Sequence, residues 1–341
     1  MAAIDADAHV LETERTWHYM KGSEREFRPV IVSAAGPGDT VSEYWLIDGR
    51  LQPKSQNVGQ DAPRESREME DIEARIRHMD ELEVGVQVLY PSIFLRPITN
   101  RPEIELALSR SYNRWLVDIC EKGKGRLRWV AVLPLLSMDR ALEEARFAKE
   151  KGACGIFIRG LEGERRLCDP YFFPLYEEAS RLNLPICVHS ATGSFTVHDF
   201  FVREPGFCKF KLAVVGAFHS LIFDGIPDRF PGLKFAFIEV SAQWIPYAIH
   251  DLAKRFERLG KPLKKNLLKD SRIYVACQTD DDLGYVVQYA GEDNLVIGSD
   301  YGHADTASEI EALRRLREKG EVDPAVINKI LDDNPRALYG L

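Results

Sequence analysis

The chain predicts an α/β protein of the (β/α)8 TIM-barrel type, and three observations predict it. Short β-branched or aromatic runs alternate with amphipathic segments along all 341 residues, and eight such runs occur. Most are continuous apolar stretches, the pattern of parallel strands covered on both faces by helices. Four of these runs end in carboxylates or imidazoles, and barrels of this kind build their sites where the strands end. A doubly wound open sheet fits less well, because it normally uses fewer strands and no G-x-G-x-x-G follows the first run.

Taken in order, the strand runs are Ala3–Ala8, Val84–Tyr90, Leu127–Leu133, Cys154–Ile158, Pro185–Val188, Lys234–Ile238, Ile273–Ala276 and Leu295–Gly298. Helical periodicity fills the intervals at Glu65–Leu82, Arg101–Glu121, Met138–Lys151, Pro174–Leu182, Trp244–Leu259, Asp282–Ala290 and Ala304–Lys319. Punctuation supports several of them: Pro170 and Pro174 near one start, Gly152 and Gly320 just past two ends. The tail Asp323–Leu341 reads as a last helix packed outside. One domain, 1–341, is expected, with two connections too long for plain barrel loops. Residues 15–63 form an insertion after strand one, where the Ile47-Asp48-Gly49-Arg50 turn suggests a β-hairpin. Residues 190–211, rich in phenylalanine, form a long loop after strand five, expected to be a lid or pocket wall.

Composition narrows the function. Forty-five Lys and Arg against 53 Asp and Glu give a net charge of −8. No basic tract of the kind that tracks nucleic-acid phosphates or an anionic membrane is present, so neither partner is expected. The most apolar stretch, Leu212–Phe223, is too short to span a bilayer. Six scattered cysteines without a C-x-x-C pair, and an acidic N-terminal stretch, lead to the expectation of a cytoplasmic enzyme of small molecules.

The strand ends carry the chemistry. Strand one ends Asp5-Ala6-Asp7-Ala8-His9, strand five ends at His189, strand six at Glu239, and strand eight runs into Ser299-Asp300-Tyr301-Gly302-His303. Residues i and i+2 of a strand share a face, so Asp7 and His9 can converge on one ion. A donor set of imidazole nitrogen and carboxylate oxygen suits zinc, manganese or iron. A carboxylate cluster of Asp7, Glu239 and Asp300 would repel itself in a barrel mouth without cations. The expected cofactor is therefore one divalent ion, or two with Glu239 bridging. Arg159, after strand four, is a candidate partner for a substrate carboxylate. Phe195 and Tyr301 are candidates for the substrate-binding wall.

These segments together resemble the amidohydrolase superfamily of metal-dependent barrels. More narrowly they resemble the branch containing aminocarboxymuconate-semialdehyde decarboxylase, γ-resorcylate decarboxylase and hydrolase relatives. The resemblance spans nearly the whole chain. It is carried by Ile4–His9, His78–Leu82 leading into Val86–Pro91, Pro185–His189, Arg229–Lys234 before Phe237–Glu239, Gly298–His303 and Asp333–Tyr339. It implies a divalent metal held by Asp7, His9, His189 and Asp300, and dimerisation is common among such relatives, with residues 15–63 as a plausible contact. Two departures stand out. Asp7-x-His9 replaces the family's His-x-His, and Glu239 stands where the family often has a catalytic or ligating histidine. His219 or His303 would have to supply an imidazole in its place.

Hydrolysis is the first expectation: metal-activated water attacks the carbonyl of an ester, thioester, amide or carbon–carbon bond, with Asp300 as ligand and proton acceptor. The alternative is nonoxidative decarboxylation of an aromatic or unsaturated acid, favoured if His219 or His303 stands within reach of the ion as a proton donor. A degenerate barrel serving only as a scaffold is the third reading, and it would hold no stoichiometric metal.

Overall fold

The computed structural model describes residues 3–35, 41–54 and 57–341. Eight parallel strands form the central sheet: β1 (Ala3–Val10), β2 (Val84–Pro91), β3 (Leu127–Val132), β4 (Gly155–Arg159), β5 (Ile186–His189), β6 (Phe235–Ile238), β7 (Ile273–Cys277) and β8 (Leu295–Ile297). They neighbour one another in chain order, and the chain just past β8 returns to β1. There the Asp300 amide donates to the Asp7 carbonyl at 3.0 Å and the His9 amide to the Tyr301 carbonyl at 2.9 Å, closing the cylinder. This is the (β/α)8 barrel the sequence predicts. All eight residues of β1 are buried, and β4, β5, β6 and β8 are buried throughout, as strands covered on both faces must be.

The outer layer consists of α1 (Ile72–Glu81), α2 (Pro102–Lys122), α3 (Met138–Glu150), α4 (Phe173–Leu182), α5 (Leu212–Phe223), α6 (Ile245–Arg258), α7 (Leu283–Ala290) and α8 (Ala312–Lys319). Three expectations need correction. The periodic segment 65–82 is two helices, because Met69 turns left-handed (φ 53°) and Asp71 starts α1 anew by accepting from the Ala74 amide at 3.0 Å. The helix expected from Ala304 begins only at Ala312, since residues 300–311 turn back across the barrel mouth through left-handed Asp300 and Gly302. The segment 190–211 is not a plain loop: it holds a helix at Phe195–Phe200 and a π-turn at Phe207–Lys211 that runs into α5, the apolar stretch.

The tail does more than cover the outside. Tyr339 is buried, and its hydroxyl donates to the Ala6 carbonyl at 2.8 Å and lies 2.8 Å from the Tyr90 hydroxyl. Asn334 donates to the Leu295 carbonyl at the start of β8 at 2.8 Å. The insertion is the hairpin expected, extended to three antiparallel strands at Val30–Ala35, Val41–Ile47 and Arg50–Pro53, with Asp48 and Gly49 both left-handed in its turn. Its far end docks onto the barrel mouth, where the Gly59 amide donates to the Gly302 carbonyl at 2.9 Å. A Cβ at Gly59 would lie 2.2 Å from the His303 carbonyl oxygen, so only glycine allows that approach. All six cysteines are free, and no helix among the described residues is long and apolar enough to cross a membrane.

Candidate metal centre and active site

β1 carries a one-residue bulge: Asp5 pairs with Gln87 and Ala8 with Leu89, three residues on β1 against two on β2. Bulges re-aim side chains near sites, and Asp7 lies inside this one. The end of β8 must pass close to it. A Cβ on Gly298 would fall 2.3 Å from the Asp7 Cβ, so the glycine gives Asp7 its room. Asp300 and Glu239 both adopt left-handed backbone, at φ 52° and φ 61°. That conformation costs a non-glycine residue about 1–3 kcal/mol and clusters where geometry serves function.

The expected donors meet in two overlapping sets: Asp7, His9, His189 and Glu239 bring ligand atoms within 4.8 Å of one another, and Asp300 joins His9 and His303 in the second. His9 Nε2 lies 3.2 Å from His189 Nε2, 3.3 Å from Asp300 Oδ1 and 3.5 Å from Asp7 Oδ1, and His189 Nε2 lies 3.3 Å from Asp7 Oδ1. A tetrahedral shell at zinc-like bond lengths needs donor separations of roughly 3.3–3.4 Å, about 1.6 times the bond. The tautomer of His9 follows from its other nitrogen. Nδ1 lies 3.0 Å from the Pro91 carbonyl, which only accepts, so Nδ1 carries the proton and Nε2 presents a lone pair. Burial first, then His303 and His189, push the His9 pKa well below its ordinary value and keep the ring neutral. A lone pair thus faces two carboxylate oxygens and another imidazole nitrogen, an arrangement that a cation between them satisfies.

Glu239 belongs to the first set, its ligand atom within 4.8 Å of those of Asp7, His9 and His189. Its Oε2 is 3.3 Å from His189 Nδ1, yet the two are poorly aligned and neither atom finds a hydrogen-bond partner among the described residues. Burial first, then Asp300, Asp305 and Asp7, raise its pKa well above the carboxylate range. Glu239, Asp300 and Asp305 also bring oxygens within 4.8 Å of one another.

His303 completes the floor. Its ring stacks on His9 at 3.9 Å between centroids, and its Nδ1 lies 2.9 Å from Asp300 Oδ1. Its Nε2 lies 2.7 Å from Ser92 Oγ, and that hydroxyl donates to the Val10 carbonyl at 2.7 Å. Ser92 Oγ must therefore accept from His303 Nε2–H. A proton is then also required between His303 Nδ1 and Asp300 Oδ1, or a lone pair would face a carboxylate. Burial lowers the His303 pKa, but the charge and hydrogen bond of Asp300 outweigh it and the net shift is upward. Burial raises Asp300 despite the opposing pull of His303.

Over this floor lies a cavity walled by Leu11, Ile93, Leu95, Ser190 and Phe210, by Trp45, Gln52 and Lys54 of the insertion, and by Glu12 and Arg96; Glu239 and His303 open into it. The insertion and the 190–211 segment meet above it. Arg50 of the hairpin turn pairs with Asp199 Oδ2 at 3.2 Å and lies 4.1 Å over the Phe195 ring.

Four expected positions lie elsewhere. Arg159 does not face the cavity: its guanidinium is bound to Glu162, with Nη2 to Oε2 at 2.5 Å, and donates to the Phe94 and Arg96 carbonyls. Its partner is Glu162 rather than a substrate carboxylate. Phe195 lies under Arg50 rather than on the substrate wall. Tyr301 is buried with its hydroxyl on His78 Nδ1 at 2.6 Å and the Arg75 guanidinium over its ring at 3.6 Å, so only its backbone serves the site. His219, on α5, pairs with Asp251 of α6 at 2.8 Å in the outer layer and supplies no imidazole to the centre. Sequence reasoning passed over Ser92 and Glu12. The strand-end rule applied to β2 would have pointed to Ser92, which directly follows Tyr90-Pro91.

The amidohydrolase family model (Amidohydro_2) matches residues 4–341, and the chain belongs to this family. Among curated proteins, 2-amino-3-carboxymuconate-6-semialdehyde decarboxylase of Dictyostelium discoideum is 22% identical over 271 residues, 73% of this chain and 72% of the relative. An amidohydrolase structure from Mycobacterium avium subsp. paratuberculosis superposes with a TM-score of 0.80 at 19% identity, covering 100% of this chain and 98% of the other. A manganese-bound 5-carboxyvanillate decarboxylase from Novosphingobium aromaticivorans gives a TM-score of 0.66 at 22% identity, covering 80% and 82%. At these identities the structural likenesses establish the fold.

Proposed function

We propose that the protein is a metal-dependent nonoxidative decarboxylase of an aromatic or unsaturated carboxylic acid. The observation that carries this reading is His303: an imidazole that shares a proton with Asp300, stacks on His9 and opens into the cavity beside the metal donors. It answers the imidazole missing at Glu239 and favours the decarboxylase alternative over hydrolysis, as do the names of the curated relatives.

Asp7, His9 and His189, with Glu239 and Asp300 beside them, would hold a divalent ion, Fe, Mn or Zn. Such an ion would supply Lewis-acid polarisation of a bound carboxylate and its neighbouring oxygen. The chain's own residues handle the proton. Ser92 fixes the His303 ring by accepting from Nε2, leaving the Nδ1 proton directed at Asp300 Oδ1. From that pair the proton passes to the substrate carbon bearing the carboxylate. The bond to the carboxylate carbon then breaks, its electron pair stays with the substrate skeleton and restores conjugation, and carbon dioxide leaves. Leu11, Ile93, Leu95 and Phe210 give the cavity an apolar side, against which loss of charge on carbon dioxide release is favoured.

The test is elemental analysis of the purified protein together with carbon dioxide release from a panel of hydroxybenzoates and unsaturated acids. Stoichiometric metal and chelator-sensitive release are expected. Metal-dependent ester or amide hydrolysis without any carbon dioxide release would overturn the reading.

A further inference from the structure

A buried polar chain runs behind the candidate metal donors. Arg75 of α1 is fully buried. Its Nε donates to Gln87 Oε1 at 2.7 Å, and its Nη1 to the carbonyls of His9 at 3.2 Å and Ser66 at 3.3 Å. Its Nη2 has no hydrogen-bond partner among the described residues, and the Tyr301 ring, 3.6 Å from the guanidinium carbon, compensates through a cation–π contact. An arginine only donates, so Gln87 must turn its oxygen to Arg75 and its Nε2 to Asp5 Oδ2, at 3.0 Å. The Asp5 oxygens also accept from the Ser299 amide at 2.9 Å and hydroxyl at 2.6 Å, and Oδ1 lies 3.3 Å from the Asp7 amide.

The chain therefore ends on the donors' own backbone or one residue away. It meets the Asp7 amide and the His9 carbonyl on β1, and Ser299 and Tyr301 on either side of Asp300. On a regular strand Asp5 and Asp7 would share a face. The bulge between them parts the two, sending Asp5 to Gln87 and Asp7 to His9 and His189. We infer that Arg75 is a positioning residue for the metal centre: acting through Gln87 and Asp5, it fixes the β1 bulge against the end of β8 and so sets how Asp7, His9 and Asp300 face a cation. The inference rests on the proposed reading of those three as metal donors, and not on the reaction the metal serves.

Removing the guanidinium outright would mix two opposite effects. Loss of its charge favours a nearby cation, whereas loss of position disfavours one. Gln87→Met and Arg75→Lys keep the charges and break the bridge, because a lysine cannot reproduce the planar fork that reaches Gln87 and His9 together. The test is a titration of the chelator-stripped full chain with cobalt(II), whose visible absorption reports both occupancy and coordination geometry. Both variants are expected to bind cobalt about 10–100-fold more weakly than the wild type, with an altered band shape. Asn113→Leu is the control for stability alone, since Asn113 is buried and bonds to Val132 and Glu144. It should lower the unfolding midpoint yet take up cobalt as the wild type does. Wild-type affinity and band shape in the network variants overturn the inference, as does equal weakening in Asn113→Leu. If one network variant fails to fold, the other decides. A wild-type protein that takes up no cobalt overturns the metal centre and this inference with it. Failure of the decarboxylase reading is seen separately, as absent carbon dioxide release, and leaves the titration unaffected.

Discussion

His189 and Arg159 occupy the same level of the barrel, paired in register at the ends of β5 and β4, yet they have opposite fates. His189 turns into the donor cluster, where its Nε2 finds Asp7 and His9 from a strand across the barrel. Arg159 turns aside to Glu162, three residues on, and to the carbonyls of Phe94 and Arg96. A polar residue at a strand end reaches the barrel centre only if its own stretch of chain offers no better partner. The hairpin after β4 offers Arg159 a carboxylate, whereas after β5 Asp199 is taken by Arg50 and Glu204 by the Gly206 and Cys208 amides. Arg159 becomes a brace for the segment 92–97, part of the cavity wall, whereas His189 keeps its place beside Asp7 and His9.

Substitutions at the two positions should therefore differ in kind. At the centre, Asp300→Asn removes a proposed metal donor together with the partner of the His303 Nδ1 proton. Turnover should fall by about 10³-fold or more with the circular dichroism unchanged. Near-normal activity would remove Asp300 from the chemistry. Gly298→Ala should act on the same centre through packing, because its Cβ would press on Asp7 at 2.3 Å. Metal content measured by elemental analysis should drop well below one equivalent, and a full equivalent would show that β8 can yield.

At the brace the effect should appear in stability. Arg159→Met leaves the Glu162 carboxylate buried without its partner, a loss of about 3–5 kcal/mol in denaturant unfolding. Adding Glu162→Gln should recover part of it; no recovery would mean that the guanidinium's bonds to the wall carbonyls carry the stability. Glu12 braces the same wall from the other side, accepting from the Ser92 and Ile93 amides at 3.1 and 3.0 Å. Burial raises its pKa from 4.5 to about 7, against those amides and His303. Because the folded value lies above the unfolded one, the associated stability is complete below pH 4.5 and is lost as pH rises through about 7. Glu12→Gln should flatten that decline, gaining on the wild type from pH 5 to pH 8 in thermal unfolding; parallel pH profiles would exclude Glu12 as its source. The smallest effect belongs to the surface latch. Arg50→Ala should cost no more than about 1 kcal/mol, since exposed ion pairs and cation–π contacts contribute little.

The alternation of apolar runs and amphipathic segments specifies the barrel in the sequence itself, because strand and helix periods differ and each must bury one stripe or two faces locally. The candidate donors were legible for the same reason: Asp7, His9, His189 and Asp300 each follow an apolar run, and parallel strands place all their ends on one rim. Side-chain destinations were not legible. Arg159, Phe195, Tyr301 and His219 satisfied the same positional rule or the same residue-type argument, but Glu162, Arg50, His78 with Arg75, and Asp251 claimed them. The role of Ser92, fixed by a hydroxyl that must donate to Val10 and so accept from His303, depends on atoms 82 and 211 residues apart in the chain. Strand order and donor type are set by local pattern. Which partner captures a polar group is decided by distance and direction, and only the closed barrel supplies those.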